Sequence, residues 1–240
     1  MKMSDLYLQT AILNNVRHAV STRHLMRHPD ERIELAQRVC DLMAWNGAAI
    51  ALAEQVHGNA VAVVDSSNDS FLREQYIYQF PGADALVCNR PNIMLGIVTA
   101  DCVPILFADT EAGVIGAVHA GWRGTYARIL SIALEKAFAI GAEAQRIRLF
   151  IGPSVCGQCY EVSEELAQQF ANEFPQWAGE FVHGRHVDLP ALNMLQGREA
   201  GVPFDGISIA NLCTIEQDDL CSYRRDGTQA GRMLSAILME

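Results

Sequence analysis

The stretch LGIVTADCVPILFAD, Leu95 to Asp109, holds two apolar runs interrupted at Asp101–Cys102. Each run has the length of a buried strand. Aspartate is disfavoured inside strands, and its charge is costly when buried unpaired. The interruption therefore marks a turn or a site between two strands. Runs of the same kind lie on either side: ADALVCN (Ala83–Asn89), IMLGIVTA (Ile93–Ala100), VPILFAD (Val103–Asp109) and GVIGAVHA (Gly113–Ala120). Consecutive strands followed by mixed helices and strands predict an α/β (α+β) fold, a layered sandwich with a mixed β-sheet flanked by helices. No linker or repeat divides the chain, so residues 1–240 read as one domain.

Outward from this block, VRHAVST (Val16–Thr22) reads as a short strand and residues 30–47 as a helix with its apolar residues at helical spacing. AAIALAEQV and AVAVVD read as strands joined by a turn at His57-Gly58-Asn59, and residues 66–82 as a polar loop. A helix is expected over residues 125–142, a strand at RIRLFIG, and helices at SEELAQQFANEF and at LPALNMLQGREAG with Pro190 in its first turn. GISIA and RMLSAILME read as closing strands. The chain is half hydrophobic with a net charge of −10, which argues against nucleic acid or an anionic membrane as partner. The first residues, MKMSDLYLQTAILNN, lack a signal pattern, and no apolar run has the length of a membrane span. Seven cysteines in a chain of this size read as reduced thiols, so a cytoplasmic location is expected.

Three polar breaks share one context. His57 in EQVHG, Asp101-Cys102 in VTADC and His119 in AVHAGWRG each follow a strand, where α/β proteins keep their sites. Two imidazoles and a thiolate suit zinc with one position open. Forty-five residues separate His57 from Cys102 and 17 separate Cys102 from His119, which matches no local zinc motif. From the residues alone the plainer reading also stands: a buried thiol and two polar strand tips. Cys156-x-x-Cys159 has knuckle or redox spacing, but Cys213 and Cys221 are wrongly spaced to complete it. His183-x-x-His186 lies in a polar stretch. Arg123 in GWRGT, and Arg224, Arg225 and Arg232 in SYRRDGTQAGR, sit among glycines, a pairing that suits an anion; they equally suit ion pairs with the 28 acids.

The segments EQVHG, ADALV, TADCVPILFAD, AVHAGWRG, IGPSVCGQCYEV, DLPALNMLQGREAGV and CTIEQDDLCSYRRDGTQAGRM occur in this order from Gln55 to Met233. Together they resemble the YfiH family, also called laccase-domain or polyphenol oxidase proteins. The resemblance implies a fold similar to the catalytic domain of cytotoxic necrotizing factors. It implies Zn2+ bound by His57, Cys102 and His119. It also implies phosphorolysis of adenosine, inosine and methylthioadenosine, and deamination of adenosine, with a nucleoside and phosphate as small-molecule partners. An amidase acting on peptidoglycan precursors is the alternative, as is a Cys–His hydrolase with Cys102 as nucleophile and His119 as base. Asp101, next to Cys102, is the candidate to shuttle a proton or to orient a ligand, and Arg123 and Arg225 are the candidate phosphate ligands. Copper oxidase chemistry is disfavoured, because the seven histidines include no His-x-His pair. Family members carry a Gly-rich GGVS…SLN stretch after a TTR motif. Here STRHLMRHPDE runs directly towards the first helix, which alters one expected pocket wall.

Overall fold

A computed structural model describes residues 10–13, 16–25, 32–45, 47–68 and 77–240. The first elements are strand β1 (Arg17–Val20), helix α1 (Arg32–Leu42), β2 (Ala49–Ala53), β3 (Val61–Val64), β4 (Ile77–Phe80) and β5 (Ala85–Cys88). Then come β6 (Ile93–Thr99), β7 (Val103–Asp109), β8 (Val114–Ala120), α2 (Trp122–Tyr126), α3 (Ile129–Ala139) and β9 (Arg148–Ile151). The C-terminal part contains α4 (Glu164–Glu173), α5 (Ala178–Phe181), the hairpin of β10 (Val182–His183) and β11 (His186–Val187), and α6 (Leu189–Glu199). It ends with β12 (Ile207–Ile209), α7 (Tyr223–Asp226) and β13 (Met233–Met239).

The strands form two mixed sheets. One has the order β1-β13-β6-β2-β4, the other β12-β9-β7-β8-β5-β3. Strand alternation determines what each sheet covers. In β6, Ile93, Leu95 and Ile97 join Leu106, Ala108, Ile115 and Ala117 of the second sheet in one apolar layer. The opposite face of β6, Met94 and Val98, packs on Leu35, Ala36, Val39 and Cys40 of α1. In the second sheet, Val103, Ile105, Phe107, Val114 and Val118 face away from the first sheet. They meet Ile129, Leu130, Ala133 and Leu134 of α3, and Leu192 and Leu195 of α6. The molecule is therefore layered helix, sheet, sheet, helices. Both faces of the central strands are covered, which is why they read as continuous apolar runs rather than alternating ones.

Several expectations need correction. A single mixed sheet becomes two. β2 and β3 belong to different sheets, so the turn carrying His57 crosses between the layers. Residues 66–82 are not all loop: Ile77–Phe80 pairs parallel with β2 as an edge strand. The helix expected over 125–142 is two helices, broken where Arg128 takes a left-handed φ of 58°. The Arg128 side chain lies over the Phe174 ring and pairs with Glu199. α1 ends at Leu42, ahead of Ala44 with φ 53°. The stretch 26–31, with most of the contrast to the Gly-rich family loop, lies outside the described residues, as do 1–9 and 69–76.

Candidate metal centre

The break at Asp101–Cys102 is both a turn and part of a site. β6 runs into β7 through Ala100-Asp101-Cys102, with Asp101 at φ 82°. An aspartate tolerates this region better than most side chains. Its buried carboxylate accepts a hydrogen bond from Thr214 Oγ1 at 2.6 Å and from the Arg224 N–H at 2.7 Å. Its carbonyl accepts from the Val155 N–H at 3.0 Å. The acid is thus partnered, and it holds the turn that presents the next residue, Cys102.

His57 is presented by a second strained turn. Gln55 and His57 have φ of 64° and 62°. The Gln55 side-chain amide donates to the Val98 carbonyl at 2.6 Å and accepts from the Val98 N–H at 2.8 Å, bonding β6 as a strand residue would. His119 is the last residue but one of β8, opposite Pro104 of β7. One ligand atom from each of His57, Cys102 and His119 lies within 4.8 Å of the others. The two rings meet edge to face with centroids 4.9 Å apart. His119 is buried, Cys102 half-buried and His57 exposed, so the group opens to solvent on the His57 side.

Asp84 sits beneath this group, fully buried. Its Oδ1 accepts from the His57 backbone N–H at 2.9 Å and lies 2.8 Å from His119 Nδ1; its Oδ2 accepts from the Gly58 N–H at 2.7 Å. The His119 N–H donates to the Asp84 carbonyl at 2.9 Å. A carboxylate on Nδ1 assigns the proton to that nitrogen and frees Nε2 as a lone-pair donor. Burial pushes the Asp84 carboxyl up, but the His119, Gly58 and His57 hydrogen bonds more than offset it and hold the carboxyl low. Burial also opposes charge on Cys102, yet hydrogen bonds from His119 and His57 bring the thiol down to about 6. At His119, burial is outweighed by the Asp84 and Cys102 hydrogen bonds, which raise the imidazole to about 9. Each partner thus favours the charged form of the other.

Gly121 forms a further wall. A β-carbon there would stand 3.2 Å from Cys102 Sγ and 3.5 Å from His57 Cδ2. Its φ of −69° suits any residue, so glycine is needed for space, not for backbone freedom. Gly121→Ala is therefore expected to fold normally but to bind metal and turn over substrate severalfold less well. The added carbon has to push Cys102 Sγ aside by a few tenths of an ångström, a fraction of the ~1 Å misplacement that can cost about a hundredfold. A metal competition titration alongside a thermal melt measures both; wild-type affinity would count against this packing. The next helix, α2, is anchored from behind. Asn193 Nδ2 donates to Thr125 Oγ1 at 3.0 Å, and Gln196 Nε2 donates to the Thr125 carbonyl at 2.9 Å.

The arginines differ. Arg123, four residues past His119, is exposed and stacks over the Trp122 ring at 4.3 Å; among the described residues its side chain makes no hydrogen bond or ion pair. Arg225 is committed to the protein. Its five N–H groups meet Asp226 twice and the carbonyls of Thr214, Gln217 and Leu220. Arg224 lies over the Tyr160 ring and donates to the Glu161 carbonyl. Arg232 donates to the carbonyls of Ala230 and Gly231. His183 and His186 face each other in the β10–β11 hairpin, outside the His57 group. Asp84 and Gln55 carry no role in the sequence reading. The signal for Asp84 was present: an acid abutting the apolar run ALVC, the same kind of break as at Asp101.

Residues 24–240 match the family described as multi-copper polyphenol oxidoreductase laccase. A purine nucleoside phosphorylase of Deinococcus radiodurans is 39% identical over 216 residues, covering 87% of this chain and 80% of that protein. The adenosine deaminase RL5, from an unknown prokaryotic organism, is 34% identical over 194 residues, covering 78% and 74%. The crystal structure of the hypothetical protein YfiH from Bacillus licheniformis superposes with a TM-score of 0.86 at 24% identity, covering 100% of this chain and 98% of that one. That last likeness concerns the fold.

Proposed function

We propose, from the premise that this chain belongs to the multi-copper polyphenol oxidoreductase laccase family, that it is an enzyme processing purine nucleosides at a zinc centre held by His57, Cys102 and His119. The observation that carries the reading is the convergence of those three ligand atoms, with Asp84 turning His119 Nε2 into a donor. Relatives named purine nucleoside phosphorylase and adenosine deaminase, over most of the chain, support the substrate class.

Two nitrogens and one sulfur fit zinc, and three protein ligands leave one position for water or substrate. The absence of any His-x-His pair in the sequence disfavours a multi-copper cluster. When bound, zinc supplies Lewis acidity to an oxygen at the open position. The chain's own residues do the rest. Asp84 keeps the His119 proton on Nδ1. The Asp101 turn fixes Cys102, and we assign Asp101 this positioning role ahead of proton transfer, since Thr214 and Arg224 occupy its carboxylate. Arg123, exposed and without an ion-pair partner among the described residues, is our candidate for the phosphate or the ribose side. Arg225 serves the loop that it staples.

Both reactions balance simply: water and adenosine give inosine and ammonia, and phosphate and a nucleoside give free base and ribose 1-phosphate. No described helix is long and apolar enough to cross a membrane. A cytoplasmic setting, where thiols stay reduced, belongs to this proposal. The test is metal analysis of purified protein, followed by product identification from adenosine with and without phosphate. Inosine and ammonia without phosphate, or adenine and ribose 1-phosphate with it, support the reading. Inert adenosine in a zinc-loaded sample overturns it.

A second reading has one specific observation in its favour. Cys102 and His119, with ligand atoms within 4.8 Å of each other, are also the pair that a cysteine hydrolase of acyl-amides would use.

A further inference from the structure

The cysteine pair at 156 and 159 has a partner that spacing among cysteines alone does not reveal. Cys156-x-x-Cys159 is matched across the loop by Cys213-x-x-Glu216, a pair with the same three-residue step. One ligand atom from each of Cys156, Cys159, Cys213 and Glu216 lies within 4.8 Å of the other three. Both pairs ride on tight turns. The N–H groups of Cys159 and Tyr160 donate to the Cys156 carbonyl at 3.0 and 2.9 Å, and the Gln217 N–H donates to the Cys213 carbonyl at 3.0 Å. The Cys156 N–H also donates to Cys213 Sγ at 3.3 Å, across the two turns. The turns are held side by side by a parallel bridge between Ser154 and Cys213. All of these thiols are free of disulfides.

We propose that Cys156, Cys159, Cys213 and Glu216 bind a second divalent metal ion of the zinc class, closed by four protein ligands and structural in role. Three thiolates and a carboxylate complete a tetrahedral set with no position left for substrate. The thiolate majority selects zinc over magnesium or calcium. The half-buried cluster, with Glu216 at its exposed edge, gives the ion a route in.

The location defines what the ion does. Val155, next to Cys156, donates to the Asp101 carbonyl, and Thr214, next to Cys213, donates to the Asp101 carboxylate. Each ligand turn therefore grips Asp101 from one side. Joining the two turns through one ion braces the turn that presents Cys102. This is a positioning role at a distance from the chemistry. The binding claim is independent of the proposed nucleoside activity; only its effect on Cys102 refers to that site.

The experiment uses full-length protein, purified reduced and loaded separately with zinc or cobalt. Wild type is expected to hold two ions per chain. Cys102→Ser is expected to keep one, and its cobalt form to show the strong near-ultraviolet thiolate-to-metal absorption of a three-sulfur site. Cys159→Ser and Glu216→Gln should each lose or weaken the second ion while leaving the ion at the His57 group in place. Circular dichroism reports whether these two variants fold; the wild-type and Cys102→Ser measurements do not depend on them. Failure of Cys102→Ser to take up any ion with thiolate absorption overturns the proposal. So does a peptide map of the native protein that finds Cys156 joined to Cys159 or Cys213 as a disulfide. Absence of nucleoside activity in wild type that holds both ions would count against the nucleoside reading alone.

Discussion

Replacing Cys102 with serine is expected to empty the His57–Cys102–His119 centre and to abolish most nucleoside turnover. A neutral hydroxyl is a poor zinc ligand, so the substitution keeps the shape and removes the bond. Changing a residue that merely orients a ligand costs about 10–100-fold in metal affinity or activity. Losing the only sulfur ligand should exceed that range. Stability should change little. The centre is open, lies at strand ends, and is not what closes the apolar layers between the sheets. Zinc content, adenosine turnover and a thermal melt on the same preparation test all three statements.

The same site separates the two chemical readings by their response to a chelator. If Cys102 is a zinc ligand, removing zinc from the wild type should remove activity, and added zinc should restore it. If Cys102 is a free nucleophile, activity should survive chelation and fall to a thiol alkylator. The structure explains why residue identity alone leaves this open. The imidazoles that would bind zinc beside Cys102 are also the groups that bring its thiol down.

Burial was more legible in the sequence than partnership. The runs around Leu95–Asp109 are apolar enough to identify β5 to β8 as strands. Nothing in such a run says against which layer it lies, so the division into two sheets was hidden. β2 and β3 flank a turn that looks local, yet the chain there steps from one sheet to the other. β4 reads as loop in the sequence because the polar stretch before it masks four residues that pair only at an edge. The helix after His119 has an unbroken helical pattern, and its break at Arg128 depends on contacts with Phe174 and Glu199 that lie far along the chain. In the site, each strand-end break was visible by itself. Separations of 45 and 17 residues carry no contact information, so convergence had to come from the family resemblance or from the fold. For the Cys156–Cys159 pair, Cys213 and Cys221 have the wrong spacing to complete a set; the residue at the matching step from Cys213 is Glu216.

Asp84→Asn should produce the second large loss, for a reason that concerns hydrogen atoms rather than shape. Asp84 receives three N–H groups: those of the His57 and Gly58 backbones and that of the His119 ring. Two carboxylate oxygens accept all three. An asparagine offers one oxygen and one NH2, and the NH2 must face at least one of these donors. If it takes the place of Oδ1, it faces both the imidazole and the His57 N–H: the ring proton moves to Nε2, the metal loses a ligand, and that backbone N–H is unpaired. If it takes the place of Oδ2, the Gly58 N–H is left unpaired beside a buried amide, at a cost of about 1–3 kcal/mol. Either outcome damages the centre without deleting any atom that touches the metal. Zinc affinity should fall by about 10–100-fold, and turnover at subsaturating zinc should fall with it. Excess zinc should rescue part of the turnover in Asp84→Asn, because all three ligands remain, whereas it should rescue little in Cys102→Ser. A zinc titration of activity for both variants therefore tests Asp84 as the residue that orients His119. Equal, unrescuable losses would assign it to folding of the site instead.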